Sequence, residues 1–173
     1  GAMRIDSLLR DLPDLPRPKR QITLFSFHHC VGRLYLEKAE NYFSNDPNHG
    51  FVEYFDIVHG VMAKFAREHS DVDVWIKPKW MGKWESHIYA AFEKVGVNGY
   101  TQPNLHVSVE KDAQKLIAES TMVVGVNSTT LFEAKLMGRH VVVPLFSEAS
   151  GKYYENHIYF KKYMDQAFEV ARS

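Results

Sequence analysis

Two short runs, Met122 to Val126 and His140 to Leu145 (HVVVPL), are apolar almost without interruption. They flank a stretch with helical character, Ser128 to Met137, that stops at Gly138. A strand with one face in water alternates apolar and polar side chains, whereas a strand apolar throughout is covered on both faces. Strands of this kind, separated by a helix, belong to a parallel sheet with helices on either side. The rest of the chain has to be compatible with that arrangement.

It is. Gln21 to His28 (QITLFSFH) reads as a first strand, Val72 to Lys77 as a second ended by Pro78, and Asn104 to Val109 (NLHVSV) as a third. Between the first two, Phe51, Tyr54, Phe55, Val58, Met62, Phe65 and Ala66 recur at helical spacing over Phe51 to His69. Further helices are predicted over Trp84 to Val95, over Asp112 to Ser120 with Ala113, Leu116 and Ile117 inward, and over Tyr153 to Met164. Phe168 to Val170 begins one more strand or helix. Strands alternating with helices predict an α/β fold: a doubly wound, Rossmann-like parallel sheet in three αβα layers, one domain over 21–173. Gly1-Ala2-Met3 reads as a protease-cleavage scar, Leu12 to Arg20 (LPDLPRPKR) as a linker or extended arm, and Asn45 to Gly50 (NDPNHG) as a turn. There is no internal repeat and no low-complexity tract.

Composition narrows the function classes. The 173 residues carry 21 Lys plus Arg against 21 Asp plus Glu, a formal net charge of zero. That argues against a nucleic-acid partner held by a broad basic surface, though not against a local phosphate site. Cys30 is the single cysteine, so no disulfide forms within the chain, and a reducing cytoplasm is expected. No apolar run reaches the roughly 20 residues of a transmembrane helix, and no secretory leader is evident.

The junction after Val126 carries the chemistry. A buried strand ends, Asn127, Ser128, Thr129 and Thr130 follow, and a helix starts. Helix starts expose unpaired N–H groups and a partial positive charge, and open α/β sheets bind ligands at the carboxyl ends of strands. The turn therefore suits a phosphate, although plain capping by Asn127 or Ser128 uses the same residues. Glu133 shares the face of Thr129 and Thr130 about one turn, roughly 5.4 Å, further along. A carboxylate there suits hydroxyls next to phosphates, as in a ribose phosphate. A surface Glu pairing with Lys135 or Arg139 is the structural alternative. Lys77 and Lys79 stand at the carboxyl end of the second strand and can neutralise an anion, or can be solvated loop residues. Trp80 and Trp84 offer stacking faces or core packing. His28 and His29 end the first strand as candidate proton carriers, and Glu148 follows the last buried strand within reach of sugar hydroxyls. No metal signature, P-loop or nucleophile elbow is present, and no metal or other cofactor is expected.

Val123 to Pro144 (VVGVNSTTLFEAKLMGRHVVVP) resembles the donor-site segment of GT-B glycosyltransferases and the related UDP-GlcNAc 2-epimerases, through Gly125, Ser128, Thr129, Glu133, Gly138 and Pro144. The likeness is clearest over Asn104 to Ser147. The hydroxyl-rich turn, in place of a Gly-Gly turn, is similar to branches acting on capsule and other surface polysaccharides. Ile76-Lys77-Pro78-Lys79 resembles the Lys-Pro-His-Pro segment of capsule-type enzymes, with Lys79-Trp80 replacing the His-Pro. The resemblance implies that the turn holds the donor's phosphates and that Glu133 bonds the ribose. It implies the nucleotide-sugar-binding, C-terminal domain of a glycosyltransferase of bacterial surface polysaccharide synthesis. The polysaccharide acceptor and any general base are then expected on a second domain, with little transfer by this chain alone. Peripheral membrane association of a full-length protein is compatible with that role. The rival readings are a 2-epimerase-like nucleotide-sugar epimerase domain and a non-catalytic, flavodoxin-like interaction domain. The base, the sugar and the stereochemistry of transfer are not encoded legibly.

Overall fold

The computed structural model describes residues 10, 18–27, 52–79, 82–150 and 164–173. Their elements, in chain order, are β1 (Gln21–Phe25), α1 (Val52–Glu68), β2 (Asp73–Lys77), α2 (Lys83–Lys94), β3 (Leu105–Val107), α3 (Ala113–Glu119), β4 (Met122–Gly125), α4 (Thr130–Leu136), β5 (His140–Pro144), a 3-10 turn (Ser147–Ser150), α5 (Met164–Ala167) and β6 (Glu169–Ala171). The strands form one six-stranded sheet in the order β3-β2-β1-β4-β5-β6, and every pairing is parallel. The expected α/β, Rossmann-like sheet is thus observed. No helix among the described residues is long and apolar enough to cross a membrane.

β1 lies at the point where the strand order reverses. Leu24 faces Ile76 of β2 on one side and Val124 of β4 on the other. Its side chains show that both faces of the sheet are covered. Gln21 Nε2 donates to the Leu116 carbonyl (3.3 Å) and the Ser120 hydroxyl (3.1 Å), and Thr23 bonds the same hydroxyl at 2.8 Å. These contacts point to α3. Ser26, on the opposite face, meets His59 of α1 and Trp84 of α2. Leu24, Val74, Ile76, Val123 and Val143 are completely buried between the layers.

The buried polar groups tie helix ends to strands, because an unpaired buried amide or carbonyl is costly. Asn104 is buried just before β3, and its Nδ2 donates to the carbonyls of Ala66 (2.9 Å), His69 (3.0 Å) and Val72 (2.7 Å). It satisfies the carboxyl end of α1, where the last carbonyls have no partner within the helix. Arg139, just past α4, does the same for α3: Nε donates to Ile117 (3.2 Å) and a terminal nitrogen to Ala118 (2.7 Å). Gly138, with φ of 71°, supplies the left-handed residue that ends α4.

Some boundaries move, for identifiable reasons. The third strand shrinks from the expected Asn104 to Val109 to three residues. Asn104 serves the end of α1, and the Val109 carbonyl accepts a bond from the Lys77 ammonium. The helix expected from Ser128 begins at Thr130, with Thr129 at the N-cap position and Ser128 Oγ accepting from the Thr130 N–H. Of Phe168 to Val170, Glu169 and Val170 open strand β6. The expected turn Asn45 to Gly50, and the expected helix Tyr153 to Met164 except for Met164, lie outside the described residues. Of the expected arm, Lys19 is secured to α3 by its backbone N–H on the Glu119 carbonyl (2.8 Å) and by an ion pair with the Glu119 side chain (3.3 Å).

Asn104 gives a direct stability prediction. Asn104→Ala removes the buried amide that donates to the Ala66, His69 and Val72 carbonyls and is expected to cost about 2–3 kcal/mol. Asn104→Asp, which turns acceptor oxygens toward those carbonyls, is expected to cost more. Urea melts of both variants check this, and an unchanged midpoint would mean that water replaces the amide.

Candidate functional site

The carboxyl ends of β1 and β4 lie side by side, with Phe25 opposite Gly125. In a doubly wound sheet this is the crevice between helices of opposite faces, where ligands bind. Gly125 lets it form tightly: a Cβ there would meet Leu131 Cδ2 at 3.1 Å and the Phe25 carbonyl at 3.4 Å. The first turn of α4 is thereby drawn against β1 and β4.

Asn127 makes the bend with φ of 50°, in the left-handed region that Asn tolerates better than most residues. Ser128 Oγ accepts from the Thr130 N–H (3.3 Å) and lies 2.6 Å from Thr130 Oγ1. Thr129 is exposed and makes no side-chain cap bond. Of the two roles read from the sequence, local hydrogen bonding at the helix start is carried by Ser128. Ser128 supplies the side-chain bond to the first turn, and Thr129, the exposed N-cap residue, supplies none. At the neighbouring strand end, Ser147 also has positive φ, at 51°. These are the non-glycine residues with positive φ among those described, and such conformations concentrate at binding sites.

Glu133 does not behave as a surface residue. It is 4% exposed, and its Oε2 is buried with no hydrogen-bond partner. The alternative of a surface pairing with Lys135 or Arg139 is not what the structure holds: Lys135 is exposed and Arg139 is committed to α3. A buried carboxylate oxygen without a partner is expensive, so it marks a place where a donor belongs.

The other expected site residues are distributed differently. The Lys77 ammonium donates to the Val109 carbonyl, bracing the loop after β3, and partial burial lowers its pKa against the opposing pull of Asp112. Asp112 caps α3 by accepting from the Lys115 N–H at 2.8 Å. Lys79 is exposed beyond the end of β2. Glu148 lies in the 3-10 turn after β5, and its side chain is outside the description. His28, His29 and Trp80 are outside the described residues. Among the described residues no group of three or more His, Cys, Asp or Glu side chains is placed to hold a metal ion.

A polar cluster at the carboxyl end of β1, on the side of α1 and α2, was not singled out from the sequence. Ser26, directly after β1, lies 2.9 Å from His59 Nε2, and Trp84 Nε1 donates to Ser26 Oγ at 3.0 Å. His59 Nδ1 is 2.7 Å from the Phe55 carbonyl. The imidazole is fully buried between the rings of Phe27 (5.5 Å) and Phe55 (3.9 Å). Phe27 in turn stacks on Tyr54 at 4.9 Å, and the Tyr54 hydroxyl donates to the Pro144 carbonyl at 2.6 Å. The signal was a histidine on the apolar stripe of α1, four residues after Phe55 and three before Met62. Trp84, 7% exposed, belongs to this core rather than to a stacking surface.

Compared with known proteins, the chain matches no family model and no curated protein.

Burial pushes the His59 pKa down from 6.5 to about 4, with the Phe55 carbonyl opposing the shift. The unfolded chain therefore binds this proton before the folded one does. The stabilising contribution is complete above about pH 6.5 and is lost as pH falls toward 4, amounting to about 3 kcal/mol. Urea denaturation across that window is expected to show stability falling with acid, and His59→Gln is expected to flatten the slope. Equal slopes in both proteins would show that other groups dominate the acid response.

Proposed function

We propose that this chain is the nucleotide-sugar-binding domain of a glycosyltransferase, taking the nucleoside phosphate of an activated sugar into the crevice at the carboxyl ends of β1 and β4. The observation that carries this reading is Glu133, a buried carboxylate with an unpartnered oxygen one turn beyond the Asn127–Thr130 bend. A carboxylate only accepts hydrogen bonds, so its complement is a hydroxyl or amine donor. A ribose next to phosphates provides such donors and places its anion toward the hydroxyl-rich turn. The reversal of strand order at β1 and the left-handed residues at the ends of β4 and β5 support a ligand at this edge.

The sugar and its transfer rest on the resemblance of Val123 to Pro144 to GT-B donor sites. In that reading the domain binds the donor and stabilises the leaving phosphate, while a second domain presents a surface polysaccharide as acceptor. The setting is cytoplasmic, and no metal is required of these residues.

Calorimetry with CMP, CDP, UDP and GDP at millimolar concentration is the test. At least one is expected to bind, and Glu133→Gln is expected to weaken it about tenfold or more, since a hydrogen bond to a charged group contributes about 1.5–3 kcal/mol. Absence of heat with all four nucleotides would sink the proposal. Unchanged binding by the variant would remove Glu133 from the site.

A further inference from the structure

Ser26, His59 and Trp84 form a hydrogen-bond chain whose direction can be deduced. The Phe55 carbonyl can only accept, so the His59 nitrogen 2.7 Å from it, Nδ1, carries the proton. A neutral imidazole then leaves Nε2 as an acceptor, and Ser26, 2.9 Å away, must donate to it. The other acceptor near the Ser26 hydroxyl, the Phe27 carbonyl, is at the distance limit of 3.5 Å and does not compete well. The Trp84 indole can only donate, and it occupies one of the two lone pairs on Ser26 Oγ. One lone pair remains. Ser26 is half-buried directly beyond β1, at the carboxyl end of the central strand, and its N–H bonds the Lys77 carbonyl at 3.0 Å.

We propose that Ser26 is an acceptor-only, specificity-determining contact for a hydroxyl or amine donor on the ligand, with His59 and Trp84 as positioning residues that fix its polarity. The proposal rests on the nucleotide-sugar reading above and adds to it the kind of group recognised. A serine hydroxyl ordinarily adapts to donor or acceptor, but this one has its proton committed inward. Phosphate oxygens offer it nothing. The buried pKa of His59, about 4, keeps that arrangement in place at neutral pH. Glu133 is likewise acceptor-only and belongs to α4, whose Leu131 packs on the sheet face opposite to that of Ser26. A ligand that reaches both residues must bring a donor to each, which selects a polyol-bearing molecule over a bare anion.

NMR tests this on the wild-type chain. Ring nitrogen shifts of His59 at neutral pH are expected to show the Nδ1–H tautomer, and the Nε2–H tautomer or an imidazolium overturns the proposal whatever binds. The Trp84 indole N–H resonance is then followed during titration with CMP, CDP, UDP, GDP, methyl ribofuranoside and pyrophosphate. Hydroxyl-bearing ligands are expected to shift it and pyrophosphate is not. A shift with pyrophosphate alone overturns the polarity argument. Ser26→Ala is expected to weaken the bound nucleotide about five- to tenfold while leaving pyrophosphate unaffected, and equal nucleotide affinity overturns the contact. If no nucleotide binds, the transferase reading fails by itself. A shift with methyl ribofuranoside then sustains the Ser26 contact, and its absence overturns that as well.

Discussion

A parallel sheet has no face to give to water, and β1 carries that constraint for the whole domain. It is paired on both edges and covered on both faces. The side chains of β1 and of the residue that follows it therefore need partners from particular layers: Gln21 and Thr23 from α3, Leu24 from the apolar core, Ser26 from α1 and α2. The polar residues in this strand are not faults in an apolar run. They join the central strand to specific helices by directional bonds, which apolar contacts do not supply.

The same accounting separates scaffold from site. Asn104, Arg139 and Gln21 are buried or half-buried and fully occupied with protein carbonyls and hydroxyls. They belong to the scaffold. Glu133 is as deeply buried and has an oxygen with nothing to accept from. Lys77, of the right charge and at the right strand end for a ligand, is instead spent on the Val109 carbonyl. Burial together with an unmet bond distinguishes these cases better than residue type or position in the sequence.

The sequence made the architecture legible because hydrophobic period and glycine placement report on it directly. The runs around Val123 and Val142 required two-sided burial, and Gly138 marked the end of α4 where φ is 71°. The position of the bend at Asn127 to Thr130 was legible for the same reason. The division of labour within it was not, since whether Ser128 or Asn127 caps depends on a backbone angle set by packing. Glu133 was readable as a residue on the face of the turn, but its burial depends on α3 and α4 closing together. The Ser26–His59–Trp84 chain joins residues 33 and 58 positions apart from Ser26, and no local pattern brings them together.

The pairing of β1 with β4 also bears on how the chain is made. Ile22 must find Met122 across the whole βαβαβα segment between them, a closure that is slow compared with local helix formation. As the chain emerges amino end first, β1 can pair with β2 and β2 with β3 well before β4 exists. During that interval the free edge of β1, with Leu24 and Phe25 beside it, presents unpaired amides to any passing strand. The strand at the centre of the finished sheet is thus the vulnerable border of the unfinished one, and a nascent chain of this design gains from protection until Gly125 has been added.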